Sequence, residues 1–186
     1  MKTNRIKIIV LAGLIAFIGI ITIQVLWLKQ AFDEEEKKFS QNIQVSLLEV
    51  ANEMNHYYGY TTPHANPVEK LSKDYYVVNM RNDFEAKVLE VLLINKFKAK
   101  AISTNFEYAI YDCETDDMLY GSYIQFDKKE DAQPGNYFPK AKNLVYYFAV
   151  RFPDKNSFIY RSLKGWIILL IKSLCNVAYF CCCKMI

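Results

Sequence analysis

The chain has 186 residues, enough for one domain or one domain with attached segments, and 52% of them are hydrophobic. Its net charge of +3 hides an asymmetry: all 20 acidic residues lie between Asp33 and Asp154, while five of the 23 basic residues lie outside 29–164, so the middle carries no basic stripe and no nucleic-acid footprint. Four of the five cysteines, Cys175 and Cys181 to Cys183, sit near the C-terminal end without a Cys-x-x-Cys pair, and only Cys113 lies centrally; this removes the usual zinc and redox readings and any disulfide within the middle segment.

Residues 1–7, "MKTNRIK", carry three basic groups and no acid. Ile8 to Leu28 follows as 21 uncharged residues with Thr22 and Gln24 as its clearly polar members. At about 1.5 Å per residue the run covers the roughly 30 Å hydrocarbon core of a bilayer. A cleaved signal peptide would have a shorter apolar stretch and small residues at its end, whereas this run ends in "QVLWLKQAF". The expectation is an uncleaved transmembrane helix over 8–28, with residues 1–7 cytoplasmic by the positive-inside rule and Trp27 at the outer interface.

Beyond the span, "KQAFDEEEKKFSQNIQVSLLEVANEM" has no proline or glycine. Phe39, Ile43, Leu47, Val50 and Met54, spaced 4, 4, 3 and 4 apart, predict one apolar helical face. With no breaker before it, the membrane helix is expected to continue outward as one long helix. That helix should stop before "HYYGYTTPHANP", with Gly59, Pro63 and Pro67. A second helix is signalled by "NDFEAKVLEVLLINKFKAK", with Asn82 and Glu85 in capping-box spacing and Phe84, Val88, Val91, Leu92 and Asn95 as its inner stripe.

The period then changes. "NFEYAIYD", "MLYGSYIQF" and "NLVYYFAVRF" are aromatic and β-branched, separated by the turn signals "CETDD" and "DAQPGNYFP". "KNSFIYRSL" is either a last strand or a helical lead into "GWIILLIKSLCNVAYF", a second span over 166–183 that opens on Trp166 and carries Lys172. Residues 184–186 form a tail. The fold class is α+β: two helices, then a small antiparallel sheet, in an extracytoplasmic domain over 29–164 held between two spans. A small sheet flanked by helices suits the PAS-like domains that bacteria place in such a position.

Candidate chemistry is sparse. His56 and His64 lack further ligands at diagnostic spacing. "DCETDD" gathers Asp112, Glu114, Asp116 and Asp117 in a turn that reads as solvated, since EF-hand spacing is missing. "HYYGY" and "YYVV" read either as ligand-pocket lining or as core. No nucleophile elbow, phosphate-cradling glycine loop or zinc-protease motif occurs. No catalytic, metal or cofactor-binding residue is therefore named.

The order of parts, with "WLKQAF", "DEEEKKFSQNIQVSLLEVA", "FEYAIYD" and "VYYFAVRFPDKNSFIYRSLKGWIILLI", resembles the N-terminal sensor portion of bacterial two-component sensor histidine kinases over about residues 1–171. The resemblance implies a non-enzymatic input module in the inner membrane, with the central domain periplasmic. It also implies an unidentified extracytoplasmic ligand, homodimerisation through the membrane and outer helices, and coupling through the helix from Phe32 to Met54. The family's His-Glu-x-x-x-Pro and ATP-binding boxes are missing from this sequence, so kinase activity passes to no residue here. Cysteine codons read one base later specify valine or alanine, so the "CCC" run together with Lys172 reads as a frameshifted or truncated span. The alternatives are a genuine cysteine tail and, for function, a complete two-span protein that regulates a partner.

Overall fold

The computed structural model describes residues 2–61, 65–80, 82–112, 117–125 and 146–185. Its elements are α1 (Lys2–Tyr57), β1 (Val68–Lys70), β2 (Tyr75–Asn79), α2 (Ala86–Ala99), β3 (Phe106–Asp112), β4 (Asp117–Ile124), β5 (Tyr146–Arg151) and α3 (Lys155–Met185). The class is α+β, as the sequence predicts. The chain divides into two compact units, one holding α1 up to Lys37 together with α3 from Ile159, the other Lys38–Phe158.

The second unit is built on a five-stranded antiparallel sheet in the order β1-β2-β5-β3-β4. Its inner face carries Tyr76 and Val78 from β2, Phe106, Tyr108 and Ile110 from β3, and Phe148 and Val150 from β5. These pack in one buried cluster with Phe39, Ile43, Leu47, Val50 and Met54 of α1 and with Leu89, Leu93 and Phe97 of α2. The face expected for α1 is thus the buried one, as its spacing requires. Polar contacts hold the helices in place. Tyr76 donates its hydroxyl hydrogen to Ser40 at 3.1 Å and Lys70 Nζ donates to the same oxygen at 2.8 Å. Lys96 pairs with Glu53 at 2.6 Å and Lys100 with Glu49 at 3.2 Å, joining α2 to α1.

α1 stops two residues later than expected, and for the reason expected. Gly59 takes φ +72°, its N–H donates to His56 O at 3.2 Å, and Tyr60 N–H donates to Asn55 O at 2.7 Å. This is the paired-carbonyl C-cap that needs a left-handed residue, which glycine supplies without a Cβ clash. α2 ends by the same device, with Ile102 N–H on Phe97 O and Ala101 N–H on Lys98 O. There the left-handed residue is Ala101, at φ 55°.

Three expectations are corrected. First, β1 and β2 precede α2, so the strands do not simply follow the helices; "YYVV" is apolar toward both sheet faces, the signature of a strand covered on both sides. Second, Asn82 does not cap α2: the N-cap is Glu85, with no side-chain bond. Third, α2 buries Leu89, Leu93 and Phe97, while Val91 and Asn95 face outward. Of the expected stripe, Phe84 and Leu92 pack at the core's edge. Nearly every position from Val88 to Ile94 is apolar, so periodicity alone does not choose a face; the sheet takes the one that seats the Phe97 ring.

"KNSFIYRSL" is helical and opens α3. In the first unit, α1 is the one helix among the described residues that is long and apolar enough to cross a membrane. Its apolar stretch is largely exposed, from Leu11 and Ile15 to Ile23 and Trp27, with Phe17, Ile21, Gln24 and Leu28 half-buried along one face. The second span expected at 166–183 lies within α3, but its side chains beyond Cys175 fall outside the described residues.

Candidate functional site

Side chains alternate across a strand, so the residues next to the inner-face set form a second face. That face holds Tyr75, Val77 and Asn79 of β2, Glu107, Ala109 and Tyr111 of β3, and Tyr147, Ala149 and Arg151 of β5. Register brings them into rows. Val77 lies opposite Ala149, Ala149 opposite Ala109, and Ala109 opposite Gly121, which makes a floor of small side chains across four strands. On one side of it stand Tyr75, Arg151, Glu107 and Tyr123, and on the other Asn79, Tyr147 and Tyr111. Tyr75, Val77, Ala109, Tyr111, Tyr147 and Ala149 form a second buried cluster.

The electrostatics of this face follow from its burial. Burial pushes the Tyr111 hydroxyl up to about 12, with Tyr147 adding to the shift. Burial likewise raises Tyr75 above the ordinary tyrosine range, Tyr111 and Tyr147 adding to it and Arg151 opposing. Tyr75 belongs to the same buried cluster as Tyr111 and Tyr147. Tyr111 and Tyr147 stack at 4.9 Å between centroids and 11° between planes. Arg151 Nη2 meets Glu107 Oε2 at 2.7 Å, with the Glu107 side chain only 8% exposed. The Oδ1 of Asn79 is shielded and accepts no hydrogen bond. The middle of the face is thus buried, with ring surfaces, one carboxylate–guanidinium pair and an amide oxygen that accepts no hydrogen bond.

Adjacent in the chain to Arg151 is Phe152, which points into the inner core with no exposure. Its ring meets Phe39 at 5.5 Å, Tyr76 at 6.0 Å, Phe97 at 5.5 Å and Phe106 at 6.2 Å. Phe152 N–H donates to Asp74 O at 2.9 Å, and the buried Lys155 donates from Nζ to Lys73 O at 2.9 Å. Asn105 Nδ2 donates to Asp154 Oδ2 at 2.9 Å. The turn "FPDK" is therefore anchored to the residues that lead into β2 and β3, and the first turn of α3 starts from a fixed point on the sheet.

The residues singled out in the sequence fare differently. His56 is exposed in the last turn of α1. Asp112 closes β3 and Asp117 opens β4, while His64, Cys113, Glu114 and Asp116 lie outside the described residues. Among the described residues no group of three or more His, Cys, Asp or Glu is placed to hold a metal. "YYVV" divides between the two sheet faces. In "HYYGY", Tyr58 packs at the core's edge and accepts the Glu85 N–H on its hydroxyl at 2.9 Å, whereas Tyr57 is exposed. Glu107, Arg151 and Phe152 were not singled out; period-two alternation assigns their faces, but their pairing depends on register between distant strands.

Comparison with protein-family models gives no match. Comparison with curated proteins gives none, and comparison with solved structures gives none.

Proposed function

We propose that this chain is a membrane-anchored extracytoplasmic sensor module of the kind that precedes the catalytic core of bacterial sensor histidine kinases. The observation that carries the reading is α1. One uninterrupted 56-residue helix contains a bilayer-length apolar segment and, further along, the residues that form the helical side of a folded core. A change in how Phe39 to Met54 pack on the sheet is a change in the helix that enters the membrane. The basic start, Lys2, Arg5 and Lys7, favours a cytoplasmic N-terminus and a periplasmic sheet domain. The antiparallel sheet with its helices on one face serves as a PAS-like input domain. Two copies associate through the membrane and outer helices. A second helix, α3, returns the chain through the inner membrane.

The test is topological. An enzyme reporter active only outside the cytoplasm, inserted near Gln133 of the full chain, is expected to be active in cells. Activity from a cytoplasm-only reporter at the same position, with none from the first, overturns the orientation and with it the extracytoplasmic sensing role.

A further inference from the structure

Within the first unit, side-chain contacts join α1 to α3. The rings of Phe32 and Tyr160 meet at 5.3 Å, and Gln24 Nε2 donates to Ser173 Oγ at 3.3 Å. The later residue of α1 meets the earlier residue of α3, so the helices are antiparallel. Trp27 and Trp166 both fall between the two contact levels, as expected of two helices entering one interface.

The polar residues explain why the pair holds this register. Of the two clearly polar side chains in 8–28, Thr22 satisfies itself by donating to Ile18 O at 2.9 Å. Gln24 has no such outlet within its own helix. Its Oε1 is shielded and accepts no hydrogen bond. Hydrocarbon offers an amide nothing, so Gln24 needs a partner from another helix. From Trp166 to Cys175, α3 is apolar except for Lys172 and Ser173. Lys172 is exposed, and its long stem can carry the ammonium toward the interface; Ser173 is left to meet the amide. A helix side chain leans toward its own N-terminus, which carries Gln24 inward and Ser173 outward, each toward the other. Apolar packing alone does not specify this register, because leucine and isoleucine on either helix pack against lipid about as well as against each other.

We infer that Gln24 and Ser173 form an intramembrane clasp that sets the register of α3 against α1 of the same chain. The clasp is a positioning device. Resting on the sensor reading, it is the point at which sliding of the sensor-bearing helix α1 is resisted or passed on to α3.

Cysteine cross-linking in membranes tests this with the full chain. Cys113, Cys175, Cys181, Cys182 and Cys183 are first replaced by serine. In that background, with Gln24 and Ser173 intact, F32C with Y160C should give an intramolecular product, seen as cross-linked peptides from monomer-sized protein. F32C with K164C, one turn off level, should react markedly less. Equal yields from the two pairs, or products found only in dimers, overturn the intrachain pairing. The clasp's role is read separately through the F32C–Y160C pair. Adding S173A should lower that yield about threefold, the scale of one interhelical hydrogen bond in lipid, whereas S173T, which keeps the hydroxyl, should restore it. A yield unchanged by S173A overturns the clasp even if the helices pair. None of these yields depends on the reporter at Gln133, so failure of the clasp and failure of the sensor reading are told apart.

Discussion

Replacing Phe152 by alanine removes a ring at the junction of five elements. Its neighbours Phe39, Tyr76, Phe97 and Phe106 come from α1, β2, α2 and β3, with centroids 5.5–6.2 Å away, and the residue itself follows β5 directly. Burying a phenylalanine and leaving its cavity open costs about 3–5 kcal/mol on truncation, the low end applying where neighbours collapse inward. Here each wall belongs to a different element and is held by its own contacts, so collapse is restricted. The lost edge-on ring pairs add to the cost. The expectation is a loss near 4–5 kcal/mol, a large part of the roughly 5–15 kcal/mol that holds a domain together. Urea unfolding of the full chain in detergent, followed by near-ultraviolet circular dichroism of the tyrosines, measures it. Tryptophan emission is a poor probe, since Trp27 and Trp166 lie in the other unit. Phe152→Leu should recover most of the loss. Val91→Ala, at a position 56% exposed, should cost under about 0.5 kcal/mol. A Phe152→Ala loss below about 2 kcal/mol, or one matched by Val91→Ala, refutes the reasoning.

The remaining predictions concern the α2 cap and the buried phenols. Ala101 holds a left-handed conformation that costs an L-residue about 1–2 kcal/mol, so Ala101→Gly should stabilise the fold by about 0.5 kcal/mol after glycine's extra chain entropy; a lower urea midpoint contradicts this. Tyr111 titrates near 12 in the fold and near 10 when unfolded, so its neutral phenol stabilises fully below about pH 10, and that contribution fades as pH rises toward 12. Stability measured from pH 8 to 12 should therefore fall above pH 10, and Tyr111→Phe should fall less steeply. An identical slope in the two proteins shows that Tyr111 is not the group responsible.

Local patterns carried much of the architecture. Phe39, Ile43, Leu47, Val50 and Met54 were readable as one face because helical spacing is a property of neighbours along the chain. The stop at Gly59 was readable because a left-handed C-cap asks for glycine there. β3, β4 and β5 announced themselves by aromatic and β-branched runs. The bilayer-length apolar segment was a matter of counting. What the chain could not disclose by itself was which of these segments meet. "YYVV" lies beside β5 in the middle of the sheet, across a sequence gap of about 70 residues, and no local feature of either strand encodes that pairing. The face of α2 was undetermined because its apolar residues surround the helix; the sheet chose Leu89, Leu93 and Phe97 by offering room for a ring. Glu107 and Arg151 are an unremarkable acid and base until register sets them opposite one another. Periodicity reports which way a side chain points relative to its neighbours along the chain. What it points at is fixed by contacts between distant segments, and those exist only once the sheet has closed.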